Sequence, residues 1–482
     1  MAVQHKKYQE AVPHQMLSHG EQFRDLVLEI QYEVGSIGRQ PYGKQVKLLQ
    51  AVLDKMKARL RAELVTKDAH HFEQLFMDFW RAVQHHGGTE LYFQSAVFFA
   101  DYLELLGKYQ EQFVFCFEQD ADARVSLAEG HLCHILLQER LGIAYFYLGE
   151  VEQAGELLEA SWFDFCRCSK QNLQIRRHLL KYRALVYLAQ GNSKMALKLC
   201  SSLELCVKKA YEDSGIYKMD ALSVKAMCLL QRERADRGLA KFFGSYGAYG
   251  AGFLEGHPCR LHIANVMMGY ELMKLMQTIS RKGSDSPVDS EWSSGKMLQE
   301  NGAEKLKMMM AAFGQWHIEV FWAYKQIAEL SMLSGEPEKA AYYYERCFAG
   351  FEGVLGGNHP LLLEMMAEMV KCYEQMGEKE QAERFDREYE RRSSQSVNLQ
   401  IEDLVCQAKE NVQEMWDIRK QQTLIRQEEE KRQQEEAKRQ QERLQQEIRQ
   451  KAVSAYEMRV QKQNDQERKR KKQLLEFQKK EG

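Results

Sequence analysis

The residues best suited to metal chemistry in this sequence are one closely spaced cysteine pair and two histidine pairs. Cys166 and Cys168 form a C-x-C pair, but no second cysteine pair and no nearby histidine completes a zinc-binding pattern. The histidine pairs at 70–71 and 85–86 lie at segment ends, whereas two ligands on one helix are spaced at i and i+4. The 11 cysteines are scattered and odd in number, which is typical of reduced intracellular thiols. We therefore expect no bound metal ion and no cofactor.

A glycine-rich run at residues 244–252 is the candidate for phosphate binding. Its four glycines follow a predicted helix rather than a strand, and the Lys-Ser/Thr ending of a phosphate-binding loop is missing. The catalytic patterns G-x-S-x-G and H-E-x-x-H are also absent from the sequence. We expect a flexible loop between helices at 244–252, and we expect that the protein is not an enzyme.

A 42-residue periodicity organises the middle of the chain. A small residue recurs at this spacing, and a turn position follows it seven residues later. Five residues after the turn position comes another position, which a small residue occupies in most of the repeats. The three sets are Ala100, Gly142, Ala184 and Ala226; Gly107, Gly149, Gly191 and Glu233; and Gln112, Ala154, Ala196 and Gly238. Two helices that cross closely need small side chains at the contact, and a tight turn between them favours glycine. The pattern predicts a row of antiparallel helical hairpins.

Two elements of this repeat resemble a known family. The segment 141–154 resembles the tetratricopeptide repeat in its Leu-Gly pair, its aromatic residue, its turn glycine and its final alanine, and the turn recurs at 334–340 and 376–382. The segment 355–360, Leu-Gly-Gly-Asn-His-Pro, resembles the inter-repeat element of the 42-residue, kinesin-light-chain-like class, and 313–317 is its degenerate copy. The resemblance implies an α-solenoid of about seven helical hairpins.

The composition favours helix along nearly the whole chain, since only 6 of 482 residues are proline. We expect an all-α fold without a sheet. The predicted divisions are a flexible lead at 1–20, capping helices at 21–90, the repeat solenoid at 91–392 with an inserted loop near 280–300, a capping helix at 399–418, and a long charged helix or coiled-coil arm at 419–482. The loop is inferred because His257 and His317 are separated by 60 residues rather than 42.

The charge of the chain is unevenly distributed. The formal net charge is -2, but residues 419–482 contain 19 Lys+Arg and 12 Asp+Glu, so this arm is basic and the remainder is acidic. The cluster nearest the end of the arm consists of Arg468, Lys469, Arg470, Lys471 and Lys472. A helical arm of this length would extend about 120 Å at 1.5 Å per residue, counted from Ile401. Such an arm suits a microtubule, RNA or an anionic membrane, and it is equally compatible with a solvated helix face.

The hydropathy pattern predicts a soluble, intracellular protein. No window reaches the roughly 18 apolar residues of a membrane span, and no apolar run precedes a cleavage site at the N-terminus.

The resemblance also implies where a partner would bind, because stacked hairpins present a groove lined by their first helices. Alignment with the groove-facing positions of the repeat gives the partner-groove candidates Asp101, Glu139, Ile143, Phe146, His178, Lys181, Leu185, Met227, Trp322, Lys325, Glu329 and Lys371.

These residues and the arm together indicate a non-enzymatic scaffold for protein–protein interaction, in a cytoskeletal assembly that is microtubule-based or ciliary. A chaperone or trafficking adaptor is an alternative. The chaperone-binding members of the family use Lys and Asn where this sequence has Glu139 and Ile143, and the next helix offers Lys181 followed by Leu185. RNA binding through the basic arm is a further alternative, and it predicts a steep dependence on salt.

Overall fold

The computed structural model describes residues 30–36, 42–62, 69–168, 172–210, 215–230, 258–282, 302–394 and 397–478. Every regular element in these ranges is an α-helix, which confirms the predicted all-α class. The predicted lead at 1–20, the glycine-rich run at 244–252 and most of the predicted loop near 280–300 lie outside the described residues.

The helices follow one another as hairpins, here numbered from the start of the repeats. Hairpin 1 comprises Thr89–Leu106 and Tyr109–Ser126, hairpin 2 Leu132–Tyr147 and Val151–Arg167, hairpin 3 Leu173–Ala189 and Ser193–Ala210, hairpin 6 Ile318–Leu333 and Pro337–Leu355, and hairpin 7 Pro360–Met376 and Lys379–Ser393. Of hairpin 4 the first helix, Gly215–Leu230, is described, and hairpin 5 consists of Pro258–Lys282 and 302–313. Three helical segments precede the hairpins, at 30–36, Tyr42–Ala62 and Ala69–His86.

The turns inside the hairpins depend on glycine for a backbone reason. Gly107 ends the first helix of hairpin 1 with φ of 71°, in the left-handed region, and its amide donates to the carbonyl of Glu104. Gly377 ends the first helix of hairpin 7 in the same way, with φ of 77°. A residue with a Cβ is strained in this conformation, so the periodic glycines mark where each first helix stops.

Histidine begins the first helix in three of the hairpins. Nδ1 of His131, His317 and His359 accepts a hydrogen bond from the backbone amide two residues later, at 3.2, 3.2 and 3.1 Å. Each ring thereby satisfies one of the amides that a helix leaves without an intrahelical partner. The His-Pro element seen in the sequence is thus a helix start, with Pro360 in the first turn, where its missing amide costs no hydrogen bond.

The segments before the repeats pack on hairpin 1. Phe76 and Phe79 share a buried core with Phe93 and Phe99 of hairpin 1 and with Leu137 of hairpin 2. The rings of Phe76 and Phe99 stack with their centroids 4.1 Å apart. This packing covers apolar surface that the first repeat of a solenoid would otherwise expose.

The largest core joins hairpins that are distant in sequence. Tyr109 and Phe113 of hairpin 1 and Leu148 of hairpin 2 share it with Phe321 of hairpin 6 and Met365 of hairpin 7. The row of hairpins therefore curves until its sixth and seventh members contact its first and second.

The last helix, Val397–Gln478, is continuous over 82 residues. The chain divides into two compact units, Met1–Glu410 and Asn411–Gly482, and this helix contributes to both. Within the first unit, Ile401 belongs to the core of hairpins 5–7, and Leu404 and Val405 pack against it. Within the second unit, every side chain from 435 to 472 is exposed, so this stretch has no core of its own.

Among the described residues, none of the helices combines the length and the apolar character that crossing a membrane requires.

Candidate functional site: the first-helix face

The first helices of neighbouring hairpins are linked by ion pairs between residues 39 positions apart. The pairs are Arg140 with Asp101 at 2.8 Å, His178 with Glu139 at 2.9 Å, and Lys325 with Glu364 at 3.4 Å. An offset of 39 is one repeat less three residues, which is close to one helical turn, so such residues lie side by side on adjacent helices. We call the surface that carries these pairs the first-helix face.

The charge cluster on hairpins 1–3 consists of Asp101, Glu104, Glu139, Arg140 and His178. Arg140 also donates to Glu139, whose side chain has no exposed surface, and Nε2 of His178 lies 3.5 Å from Oε1 of Glu104. The cluster therefore connects three first helices through alternating charges. A buried charge is stable only when it is paired in this way.

The cluster shifts the pKa values of Glu104 and His178. Burial by itself raises the pKa of the Glu104 carboxyl, but His178, Arg140 and the Tyr182 hydroxyl outweigh it and lower that pKa to about 2. Burial alone would lower the pKa of His178, but Glu139 and Glu104 outweigh burial and raise it. The cluster therefore favours a charged imidazolium between two carboxylates.

A second group of charges lies on hairpins 6 and 7. Lys325 donates to Glu329 on its own helix and to Glu364 on the next, and Lys371 pairs with Glu368 at 2.7 Å. Burial opposes the charge on Lys325, but Glu329 and Glu364 more than compensate and raise its pKa. The Lys325–Glu364 pair thus occupies the same two positions of the repeat in hairpins 6 and 7 as the Glu139–His178 pair does in hairpins 2 and 3.

The partner-groove candidates differ in how accessible they are. The fully or almost fully buried ones are Glu139, Ile143 and Lys325; the half-buried ones are Asp101, Phe146, His178, Lys181, Leu185, Met227 and Glu329; the exposed ones are Trp322 and Lys371. The expectation of an open groove does not hold for the buried three. Ile143 packs in the core of hairpins 2 and 3, and the other two are enclosed in ion pairs. The two exposed candidates, Trp322 and Lys371, lie on hairpins 6 and 7.

A repeated junction holds the distant hairpins together. A Cβ at Gly107 would lie 3.1 Å from Cβ of Ile318, and a Cβ at Gly149 would lie 3.2 Å from Cδ of Pro360. The turn of hairpin 1 thus meets the start of hairpin 6, and the turn of hairpin 2 meets the start of hairpin 7. Burial at this junction lowers the pKa of His359 to about 4, so the ring is neutral at ordinary pH. The sequence shows each turn and each histidine, but no local signal indicates that they touch.

Three groups with metal-ligand chemistry meet away from this face. Donor atoms of Glu90, His131 and Cys133 lie within 4.8 Å of one another. The cysteine and histidine pairs singled out in the sequence are different residues, and the spacing His-x-Cys at 131–133 is the signal that could have indicated this group.

The basic cluster of the arm is fully accessible. Arg468, Lys469, Arg470, Lys471 and Lys472 are all exposed on the last helix. Their charges are therefore available to an external surface.

Comparison with known proteins identifies the repeats. Residues 319–394, which include almost all of hairpins 6 and 7, match the family model of the tetratricopeptide repeat. This protein is of the tetratricopeptide-repeat type. Tetratricopeptide repeats are protein–protein interaction modules and generally lack catalytic activity, so the fold is that of an interaction protein. The kinesin-light-chain-like subclass stays a prediction.

Comparison with solved structures gives matches at low identity and with TM-scores below 0.5. The quorum sensor NprR from B. thuringiensis, in its apo form, is 10% identical, with 71% of this chain and 99% of that chain covered and a TM-score of 0.42. A signal transduction ATPase with a tetratricopeptide repeat sensor from Pyrococcus horikoshii is 15% identical, with 69% of this chain and 48% of that chain covered and a TM-score of 0.39. A search of curated proteins finds no match to this tetratricopeptide-repeat chain.

Proposed function

We propose that this protein is a protein–protein interaction scaffold of a microtubule-based assembly, cytoskeletal or ciliary, with a fixed repeat body and a docking arm. The observation that carries the proposal is the last helix, which is continuous over 82 residues and exposed on all sides from 435 to 472. A helix that is polar all round either stands in solvent, stabilised by its own charge pairs, or bridges to another surface.

The charges of the arm favour the second role for its terminal part. Glu435 precedes Arg439 and Glu447 precedes Lys451 at i,i+4, which stabilises the exposed helix by a few tenths of a kcal/mol per pair, about 0.2–0.5 kcal/mol. The five consecutive basic residues at 468–472 outnumber the two acidic residues nearest to them, Asp465 and Glu467, so the end of the arm keeps a net positive charge. At about 1.5 Å per residue the helix is roughly 120 Å long, which suits an extended anionic lattice such as a microtubule.

The repeat body supplies the second contact in this proposal. Trp322 is 38% exposed, and its ring packs edge-on against Phe351, which holds it in one orientation. The Glu364 and Lys371 side chains are largely exposed on the neighbouring first helix. An exposed aromatic ring on one first helix and charges of both signs on the next are residue types that protein-binding surfaces use.

Cosedimentation with stabilised microtubules across a salt series tests the arm in the full chain. One variant replaces all five residues at 468–472 with glutamate. The matched control makes the same change in net charge at five dispersed, exposed positions of the arm, Lys438, Arg443, Arg449, Arg459 and Lys462. We expect the wild-type chain and the control to pellet at low salt, and the cluster variant to remain in the supernatant.

Two results would count against microtubule docking. If the wild-type chain does not pellet at low salt, the arm does not bind microtubules, and the adaptor alternative gains support. If RNA competes the chain off microtubules at substoichiometric amounts, with a steep salt dependence, the RNA-binding alternative is favoured.

A further inference from the structure

Glu90, His131 and Cys133 come together where two first helices begin. Glu90 lies in the first turn of hairpin 1, and His131 and Cys133 form the start of hairpin 2. Nε2 of His131 is 2.9 Å from Oε2 of Glu90. The Cys133 sulfur lies within 4.8 Å of one ring nitrogen of His131 and of one carboxylate oxygen of Glu90. The other two capping histidines, His317 and His359, have Glu319 and Leu361 where His131 has a cysteine. The cap is therefore common to the repeats, but the thiol is specific to hairpin 2.

We propose that Glu90, His131 and Cys133 bind a zinc ion through one carboxylate oxygen, one imidazole nitrogen and one sulfur. These are the donor types that zinc takes from proteins, and three protein ligands leave a fourth position for water. The carboxylate is the solvent side of the site, since the Glu90 side chain is 59% exposed, whereas Cys133 is buried.

The distances require only small movements. Bond lengths of about 2.0–2.3 Å around a tetrahedral ion place its ligand atoms roughly 3.3–3.6 Å apart. The ligand atoms now lie up to 4.8 Å apart, so a contraction of little more than about 1 Å is enough. The exposed Glu90 side chain can change rotamer to supply it, at the cost of the hydrogen bond that it accepts from Nε2 of Gln94. The buried thiol can therefore keep its place while the carboxylate closes the site.

Binding has a proton balance. Burial, reinforced by the charge of Glu90, raises the pKa of the Cys133 thiol to about 12, so the group is protonated before the metal arrives. Coordination deprotonates a thiol, and its proton passes to solvent.

Binding also has a structural cost at His131. Its Nδ1 accepts the Cys133 amide, so Nε2 carries the proton in the neutral ring. Coordination through Nε2 transfers that proton to Nδ1 and ends the cap hydrogen bond, which lowers the affinity by about tenfold. The bound ion would in return join the first helices of hairpins 1 and 2.

Titration of the reduced full-length chain with Co²⁺, followed by Zn²⁺, tests the site. We expect one equivalent of Co²⁺ to produce a thiolate-to-cobalt charge-transfer band, which Zn²⁺ then abolishes. Cys133→Ser removes the band. His131→Asn retains a residue that caps helices well but lacks the imidazole, and it weakens binding by at least about hundredfold. Glu90→Gln, at an exposed position, weakens binding without disturbing the fold.

The matched control is the double variant Cys166→Ser/Cys168→Ser, which removes the closely spaced pair, of which Cys166 is exposed. It leaves the band unchanged if Cys133 is the ligand. A band that survives Cys133→Ser and disappears in the control, or the absence of any band at one equivalent, overturns the proposal. Circular dichroism shows whether each variant is folded, and if Cys133→Ser is not, His131→Asn decides.

Discussion

A methyl group placed at Gly149 tests the contact between the second and seventh hairpins. Gly149 has φ of 92°, so alanine there is strained by about 1 kcal/mol in any environment. Its Cβ would also lie 3.2 Å from Cδ of Pro360 and 3.4 Å from Cδ2 of His359. The contact with Pro360 is a few tenths of an ångström too short, whereas the contact with His359 is at the limit of ordinary van der Waals contact. Overpacking of this kind adds about 1 kcal/mol, the low end of the usual range.

Gly191→Ala is the matched control for this change. Gly191 is the equivalent turn residue of hairpin 3, with φ of 76°, and a Cβ there has no neighbour within 4 Å among the described residues. It therefore carries the backbone strain without the contact. Both changes lower the free energy of local unfolding, Gly149→Ala at the junction and Gly191→Ala at its own turn. We expect the effect of Gly149→Ala to be larger by about 1 kcal/mol, which is the cost of the short contact.

Hydrogen–deuterium exchange of the full chain measures this difference in local stability at the start of hairpin 7. We expect peptides that cover residues 355–365 to exchange about fivefold faster in Gly149→Ala than in the wild-type chain, since about 1 kcal/mol corresponds to that factor. In Gly191→Ala these peptides are expected to exchange at the wild-type rate. Equal protection of 355–365 in both variants would refute the reasoning, because it would mean that the turn of hairpin 2 does not touch hairpin 7.

Two further predictions concern buried polar groups. The side-chain amide of Gln112 is fully buried and has no hydrogen-bond partner among the described residues. We therefore expect Gln112→Met to raise the free energy of unfolding, measured by urea denaturation, by about 1 kcal/mol. A decrease would show that the amide is hydrogen-bonded. His178 and His359 are expected to give opposite pH dependences. The raised pKa of His178 contributes stability below 6.5 that is lost as pH rises through the folded pKa, and His178→Asn removes this loss. The lowered pKa of His359 makes stability fall as pH drops from 6.5 towards about 4, and His359→Asn, which keeps a helix cap, flattens that slope. Thermal unfolding at a series of pH values measures both, and unchanged slopes in the variants would contradict the assignments.

The hairpins themselves were predictable because their signals are local. The sequence pattern placed turns at 334–340 and 376–382. The helices of hairpin 6 break between Leu333 and Pro337, and those of hairpin 7 break between Met376 and Lys379. Glycine at a left-handed turn and histidine or proline at a helix start act within a few residues of chain, so a single sequence reports them.

The candidate site was predictable only in part. Alignment to the repeat selected Asp101, Glu139 and His178, which do lie together, but it missed Arg140 and Glu104, which complete their ion pairs. The offset of 39 residues between paired positions would have indicated Arg140. No alignment of positions indicates burial, however, because accessibility depends on how far the row of hairpins curves.

The sequence by itself determined the all-α class, the 42-residue register and the place of each described turn. Tertiary structure alone decided that the turns of hairpins 1 and 2 meet the starts of hairpins 6 and 7, and that Glu90 meets His131 and Cys133. Backbone propensities and caps depend on neighbours within one helical turn, whereas these contacts depend on small rotations between successive hairpins. Such rotations add up over 210 residues, from Gly107 to His317, and no short pattern encodes their sum.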